Sequence, residues 1–287
     1  MRAAAILGIG TSPEDLKAFQ TEGTTFQLGV PAESGNLDAI LIFGGDGTIH
    51  RHLSELVRLQ LPVLTVPLGS GNDFARALEL KSLGQAVAAW KQFVSNGNNI
   101  RAVDLGVITT PTQPQPHYFS CVAGVGLDTA IARIANQLPR WLRSHGGYAL
   151  SLPVALAGFT PPQVELQKDG QPHSSTPRVL AAFANSPFCG GGMLIAPGAN
   201  MTDGLLDACL IARLSKGKLL RLFPSVYSGN HLKFPEIEIV QGRRFHLITS
   251  QPADVYADGE FICQTPVEIG IAPLALRVIV HNRLQAP

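Results

Sequence analysis

Apolar residues in the first third of the chain come in short runs, Ala3 to Ile9, Thr24 to Val30, Ala39 to Phe43 and Pro62 to Pro67, with helical patterns between them. Runs of this length suit buried strands, and their alternation with helices predicts βαβ units and a parallel sheet. One helix is expected from Pro13. In a second, running from Ile49 to Gln60, Ile49, Leu53, Leu56 and Val57 share a face, as Leu83, Ala86, Val87, Trp90 and Val94 do further on. Both stripes mark packing helices. Beyond residue 116 a helical stretch ends near Phe159 and alternating strands then dominate: Gln163 to Gln167, Arg178 to Asn185, Leu205 to Ala212, Glu236 to Val240, Arg243 to Thr249 and Leu274 to His281. A single helix, Lys216 to Ser228, breaks that series.

The change of pattern divides the chain into an α/β parallel-sheet domain over residues 1–108 and a β-rich domain over 109–287. The boundary falls at 109–116, which holds three prolines, and the last strand is free to return to the first domain. Hydrophobic residues make up 45% and charged residues only 15%, which implies a globular chain with an apolar surface. A net charge of +1 lacks the basic footprint of a nucleic-acid binder, so no nucleic-acid partner is expected. Cys121, Cys189, Cys209 and Cys263 lie far apart with no CxxC pair, which points to reduced thiols and a cytoplasmic setting. No apolar run reaches the ~18 residues of a membrane span. Pro13, Glu14 and Asp15 follow the first apolar run at once, against a secretory signal.

Candidate chemistry begins at Gly44-Gly45-Asp46-Gly47-Thr48, set between a buried strand and an amphipathic helix. Glycines admit backbone amides close to an anion, and the helix N-terminus adds free N–H groups, so the loop suits phosphate. Asp46 fits beside phosphate when Mg²⁺ lies between them. A tight turn with Thr48 as N-cap accounts for the same residues. A second loop, Pro67 to Arg76 with Gly69-Ser70-Gly71-Asn72-Asp73, repeats this grammar after the next strand, and both would open at strand carboxyl ends, where open α/β sheets bind ligands. Asn72 or Asp73 as an ordinary N-cap is the alternative there. Asp258-Gly259-Glu260 reads as a hairpin turn, and Asp203-Gly204 with Asp207 as a turn or a cation site. His50 and His52 stand two apart and cannot form a zinc pair, so both are expected on a solvated surface. Ser70 has no histidine at motif spacing and is not read as a nucleophile.

The ordered set Gly44 to Glu55, Pro67 to Leu78, Val103-Asp104-Leu105-Gly106, Ala184-Asn185, Gly190-Gly191-Gly192, Ala196-Pro197, Asp203 to Asp207 and Asp258-Gly259-Glu260 resembles the diacylglycerol kinase catalytic-domain family, in particular its soluble bacterial lipid kinases. The resemblance runs from about residue 38 to the C-terminus. It implies a nucleotide-binding α/β domain, a β-sandwich-like second domain, and a site in the cleft between them that uses ATP and Mg²⁺ to phosphorylate a lipid hydroxyl. By the same resemblance Gly44, Gly45, Gly47, Thr48 and Ser70 would meet ATP phosphates. Asp46, Asp73 and Asp104 would organise Mg²⁺ and water, Glu260 would be the base, and Asp203 with backbone oxygens near Asn200 and Leu205 would hold a structural Mg²⁺.

The family's N-terminal Asn-Pro-x-x-Gly segment is replaced here by Gly8 to Pro13, in which Gly10 and Thr11 are the candidates for the nucleotide. Only Pro31 to Leu37 separate Val30 from Asp38, too few for the helix the family carries there, and Cys121 stands where it often has asparagine. Two other readings are a non-catalytic lipid-binding or regulatory protein and a kinase of a soluble acceptor such as NAD. Membrane contact would be peripheral, with Arg133, Arg140, Trp141 and Arg143 as a basic, partly aromatic stretch. A homodimer is left open.

Overall fold

The computed structural model describes residues 1–111, 115–138 and 147–281. Strands β1 (Arg2–Leu7), β2 (Thr25–Leu28), β3 (Ala39–Gly44) and β4 (Val63–Pro67) lie parallel in the order β2-β1-β3-β4. Every residue of β3 is buried, which explains its unbroken apolar run. Helix α1 (Asp46–Leu59) joins β3 to β4, and α2 (Asp73–Ala77) and α3 (Leu83–Asn96) follow β4. Ile49, Leu53, Leu56 and Leu59 form the buried face of α1. In α3 the buried face is Ala86, Ala89, Trp90 and Phe93, while Leu83 turns outward. Trp90 donates its indole N–H to the Phe19 carbonyl at 2.8 Å. Residues from Pro13 form a 3₁₀ stretch, Pro13–Phe19, in place of the expected α-helix.

The remaining chain forms β5 (Ile100–Thr109), β6 (His117–Phe119), β7 (Val122–Gly126), α4 (Leu127–Gln137), α5 (Gly147–Gly158), β8 (Gln163–Lys168), β9 (Gln171–Ala184), β10 (Phe188–Cys189) and β11 (Met193–Leu194). It continues through β12 (Leu206–Ala212), α6 (Lys216–Val226), β13 (Ile237–Gly242), β14 (Arg244–Thr249), β15 (Asp254–Ala257), β16 (Glu260–Gln264) and β17 (Val267–Ile279). The first half of β9 pairs with β8 and its second half with β7 and β12, so one strand passes between two packed layers. The filling between them is apolar, and Phe183 and Phe245 meet there with ring centroids 5.1 Å apart. A β-sandwich results.

Strand β17 ties this sandwich to the parallel sheet. It is antiparallel to β14 at one end, pairs with β5 along its length, and at Val278 lies parallel to Val63 of β4. The proline-rich 109–116 stretch connects β5 to β6, two antiparallel neighbours.

Candidate active site

Both glycine loops leave adjacent parallel strands, β3 and β4, at their carboxyl ends. Gly45 caps α1, so Asp46, Gly47 and Thr48 form its first turn, and Thr48 is not the N-cap. The loops touch backbone to backbone: a Cβ on Gly69 would lie 2.3 Å from the Gly45 Cα. Only glycine allows that approach. The Thr48 side chain fills the space beside Gly8 and Gly44 and is buried.

Asp46 bridges the loops. Its carboxylate accepts the backbone N–H of Asp73 at 3.0 Å and of Phe74 at 3.1 Å, capping α2, whose own N-cap residue Asn72 makes no such bond. Asn72 instead closes its loop through the Gly69 amide and carbonyl. The buried Asp73 carboxylate pairs with Arg76 at 2.5 Å and accepts the Gly191 N–H at 2.8 Å. Burial, reinforced by the charge of Asp73, pushes Asp46 up to about 6. Asp73 is raised as well, chiefly by burial.

Across the cleft, Asp258 and Gly259 turn the hairpin between β15 and β16 with φ of 49° and 86°, the left-handed pair of a tight Asp-Gly turn. The Asp258 side chain is fully buried. It accepts the amides of Ser120, Cys121 and Val122, the Ser120 hydroxyl, and a 3.2 Å contact with His50 Nδ1. Burial would raise Asp258, but the His50 hydrogen bond and charge and the amide donors outweigh it, so its pKa is lowered. Burial would likewise lower His50, yet the Asp258 hydrogen bond and charge win and its pKa is raised. His50 is therefore not the solvated surface residue its spacing suggested; its side chain is 11% exposed and locks α1 to the hairpin. The anchored turn presents Glu260, whose Oε1 would stand 3.4 Å from a Cβ on Gly47.

These groups share a cavity of about 750 Å³. Its wall includes Gly45, Asp46, Gly47, Thr48, Ser70, Gly71, Asp73 and Glu260, and equally a set of apolar side chains from α4, α5, α6 and β9, among them Leu127, Leu152, Leu180 and Leu222. Two members escaped the sequence reading. Arg51, whose Nε donates to the Gly47 carbonyl at 3.0 Å, lies one turn into α1 and puts a cation on the wall. Asp128, at the start of α4, is pushed up to about 7 by burial. Its signal was a lone acid in an apolar segment.

Several expected residues lie elsewhere. Gly10 and Thr11 do not line the cavity, and the Thr11 hydroxyl donates to the Gly8 carbonyl. Asp104 is fully buried outside the cleft, with one carboxylate oxygen accepting the Gly204 amide at 2.8 Å and the other the Leu274 amide at 2.7 Å. It fastens two backbone segments. Asn200, Asp203 and Leu205 do share the adjoining loop, where Asn200 accepts from Thr202 and Asp203 from the Leu205 amide. Among the described residues no three His, Cys, Asp or Glu side chains converge as a metal cluster. Arg133 is exposed on α4, and Arg140, Trp141 and Arg143 lie outside the described residues.

Residues 12–108 match the diacylglycerol kinase catalytic domain, and residues 121–280 match the YegS C-terminal NAD kinase beta sandwich-like domain. A diacylglycerol kinase from Mycobacterium tuberculosis is 34% identical over 242 residues, covering 84% of this chain and 76% of that protein. One from Bacillus subtilis is 28% identical over 80% of this chain and 74% of its own length. The crystal structure of a diacylglycerol kinase from Bacillus anthracis superposes with a TM-score of 0.69 at 18% identity, covering 99% of this chain and 98% of that one. An NAD kinase from Archaeoglobus fulgidus, solved in complex with ATP, gives 0.56 at 17% identity, covering 99% and 95%. The architecture is thus the one that diacylglycerol and NAD kinases share. Within it, the chain belongs to the diacylglycerol kinase family and is a lipid kinase.

Proposed function

We propose that the chain transfers the terminal phosphoryl group of ATP, with Mg²⁺, to the free hydroxyl of a diacylglycerol-like lipid. The observation that carries this reading is a single cavity with a glycine-and-carboxylate wall and an apolar wall, room for phosphates and acyl chains at once. The apolar wall disfavours NAD, a polar acceptor. The backbone at Gly45, Gly47 and Ser70 and the Arg51 guanidinium orient the phosphates. Asp46 and Asp73 fit a divalent cation, because two neighbouring carboxylates that burial pushes upward, Asp46 further raised by the charge of Asp73, call for positive charge between or beside them. When bound, Mg²⁺ neutralises charge on the transferring group.

Glu260 accepts the proton of the attacking hydroxyl. It is exposed and held over the first turn of α1 by the Asp258 anchor. Losing a general base typically costs ~10²–10⁴ in rate. Glu260→Gln is therefore expected to lower kcat for diacylglycerol by that order while ATP affinity and the melting temperature stay put. Turnover of radiolabelled ATP on diacylglycerol decides it. Near-normal turnover by the variant removes Glu260 from the chemistry, and transfer to NAD in preference to diacylglycerol removes the lipid acceptor.

A further inference from the structure

Helices α5 and α6 wall the apolar part of the cavity, and each also exposes large apolar side chains on its outer side. Across its twelve residues α5 carries no charge. Leu152 and Leu156 face inward and are buried, while Leu150 and Val154 are 53% and 63% exposed. On α6, Leu219, Leu222 and Val226 are buried, whereas Leu220 and the following Tyr227 are 47% and 43% exposed. A surface helix of a globular protein normally turns charged and polar groups to water on that side, and α5 turns no charge there. The two helices meet where Lys216 Nζ donates to the Ala157 carbonyl at 2.7 Å, and Val154 and Leu220 each stand about one turn from that contact.

Cations fringe the same face. Arg213, Lys216 and Arg221 are exposed around the start of α6, and Lys218 is neutralised locally by Glu236. Exposed apolar side chains among cations suit the interface of a bilayer bearing anionic headgroups. A second copy of this chain suits the face poorly, because a two-fold contact would set the three cations against themselves.

We infer that the outer faces of α5 and α6 dock the protein on an anionic bilayer and deliver the lipid through the wall these helices form. This rests on the lipid-kinase reading above. The delivery has a physical motive: acyl chains that cross water to reach an apolar cavity lose their burial on the way, and a cavity wall seated in the interface spares them that step. Among the described residues no helix is long and apolar enough to span a membrane, so the contact is peripheral.

The test is flotation of the full chain with phosphatidylcholine vesicles, with and without roughly one-third phosphatidylglycerol. The chain is expected to float with the anionic vesicles and to be released by salt. Val154→Glu and Leu220→Glu, one on each helix, should each weaken that binding roughly tenfold, and Arg221→Glu about fivefold or more, on anionic vesicles only. Phosphorylation of vesicle-borne diacylglycerol should fall in parallel, while turnover of a monomeric short-chain diacylglycerol is unchanged. Unchanged vesicle binding in all three variants overturns the proposal, as does a wild-type dimer in sedimentation that Leu220→Glu dissociates. Vesicle binding that follows the expected order without phosphorylation of any lipid upholds the docking face and removes the lipid-kinase reading instead.

Discussion

Asp258 shows how much one carboxylate can organise. Its three amide donors are main-chain groups at 120–122, and its imidazole partner sits on α1, so a single side chain sets the hairpin bearing Glu260 against both halves of the site. The pH dependence follows from the two shifts. Asp258 is depressed, so its contribution is present above its ordinary value of 3.8 and is lost as pH falls through the folded pKa. His50 is raised, so its contribution is complete below 6.5 and fades as pH rises through the folded pKa. His50→Gln should thus lower the melting temperature by several degrees near pH 6, about the 1.5–3 kcal/mol of a charged hydrogen bond, and by less near pH 8.5. Thermal melts at the two pH values check this, and an equal drop at both would remove the ion pair. At Asp46 the expected change is different. Asp46→Asn keeps one acceptor for the α2 amides, so stability should fall by only ~1 kcal/mol, while kcat should drop at least ~10²-fold. Turnover that survives would leave Asp46 as a helix cap and nothing more.

Among the elements, the two glycine loops depend on mutual contact. Gly69→Ala forces a methyl group into the Gly45 backbone, and the loops must part at a cost of about 1–3 kcal/mol. Its expected signature is a raised KM for ATP and a lower kcat in a chain whose circular dichroism is unchanged; normal kinetics would mean that the contact does not shape the phosphate site. These loops were legible in the sequence because each is local: an apolar strand, glycines, then a helix. The Asp-Gly hairpin was legible for the same reason. The grip of Asp258 on His50 was not, since 208 residues separate the pair and neither carries a local mark of the other. Strand β17 was only half visible. Pro273 interrupts its apolar pattern, so the sequence starts a strand at Leu274. The chain instead runs from Val267 through an irregularity in its pairing between Ala272 and Leu276, with Leu274 at a φ of 51° and its amide held by Asp104. The two amides that Asp104 accepts lie 100 and 170 residues away, and nothing beside it in the strand marks them.

For the whole molecule, β17 is the element that makes one body of the chain, since it pairs with β4, β5 and β14. A chain ending at Pro266 should therefore fail to fold, and the full chain should unfold in a single calorimetric transition. Two separate transitions would mean that the parallel sheet and the sandwich stand independently. The same strand bears on how the protein is made. Strand β5 leaves the ribosome roughly 160 residues before its partner, an interval of about 10–30 s at ordinary synthesis rates. Throughout that time the apolar edges awaiting β17 are open to neighbouring nascent chains, so the yield of native protein in the cell should depend on chaperone supply and on the pace of translation more than its final stability would suggest.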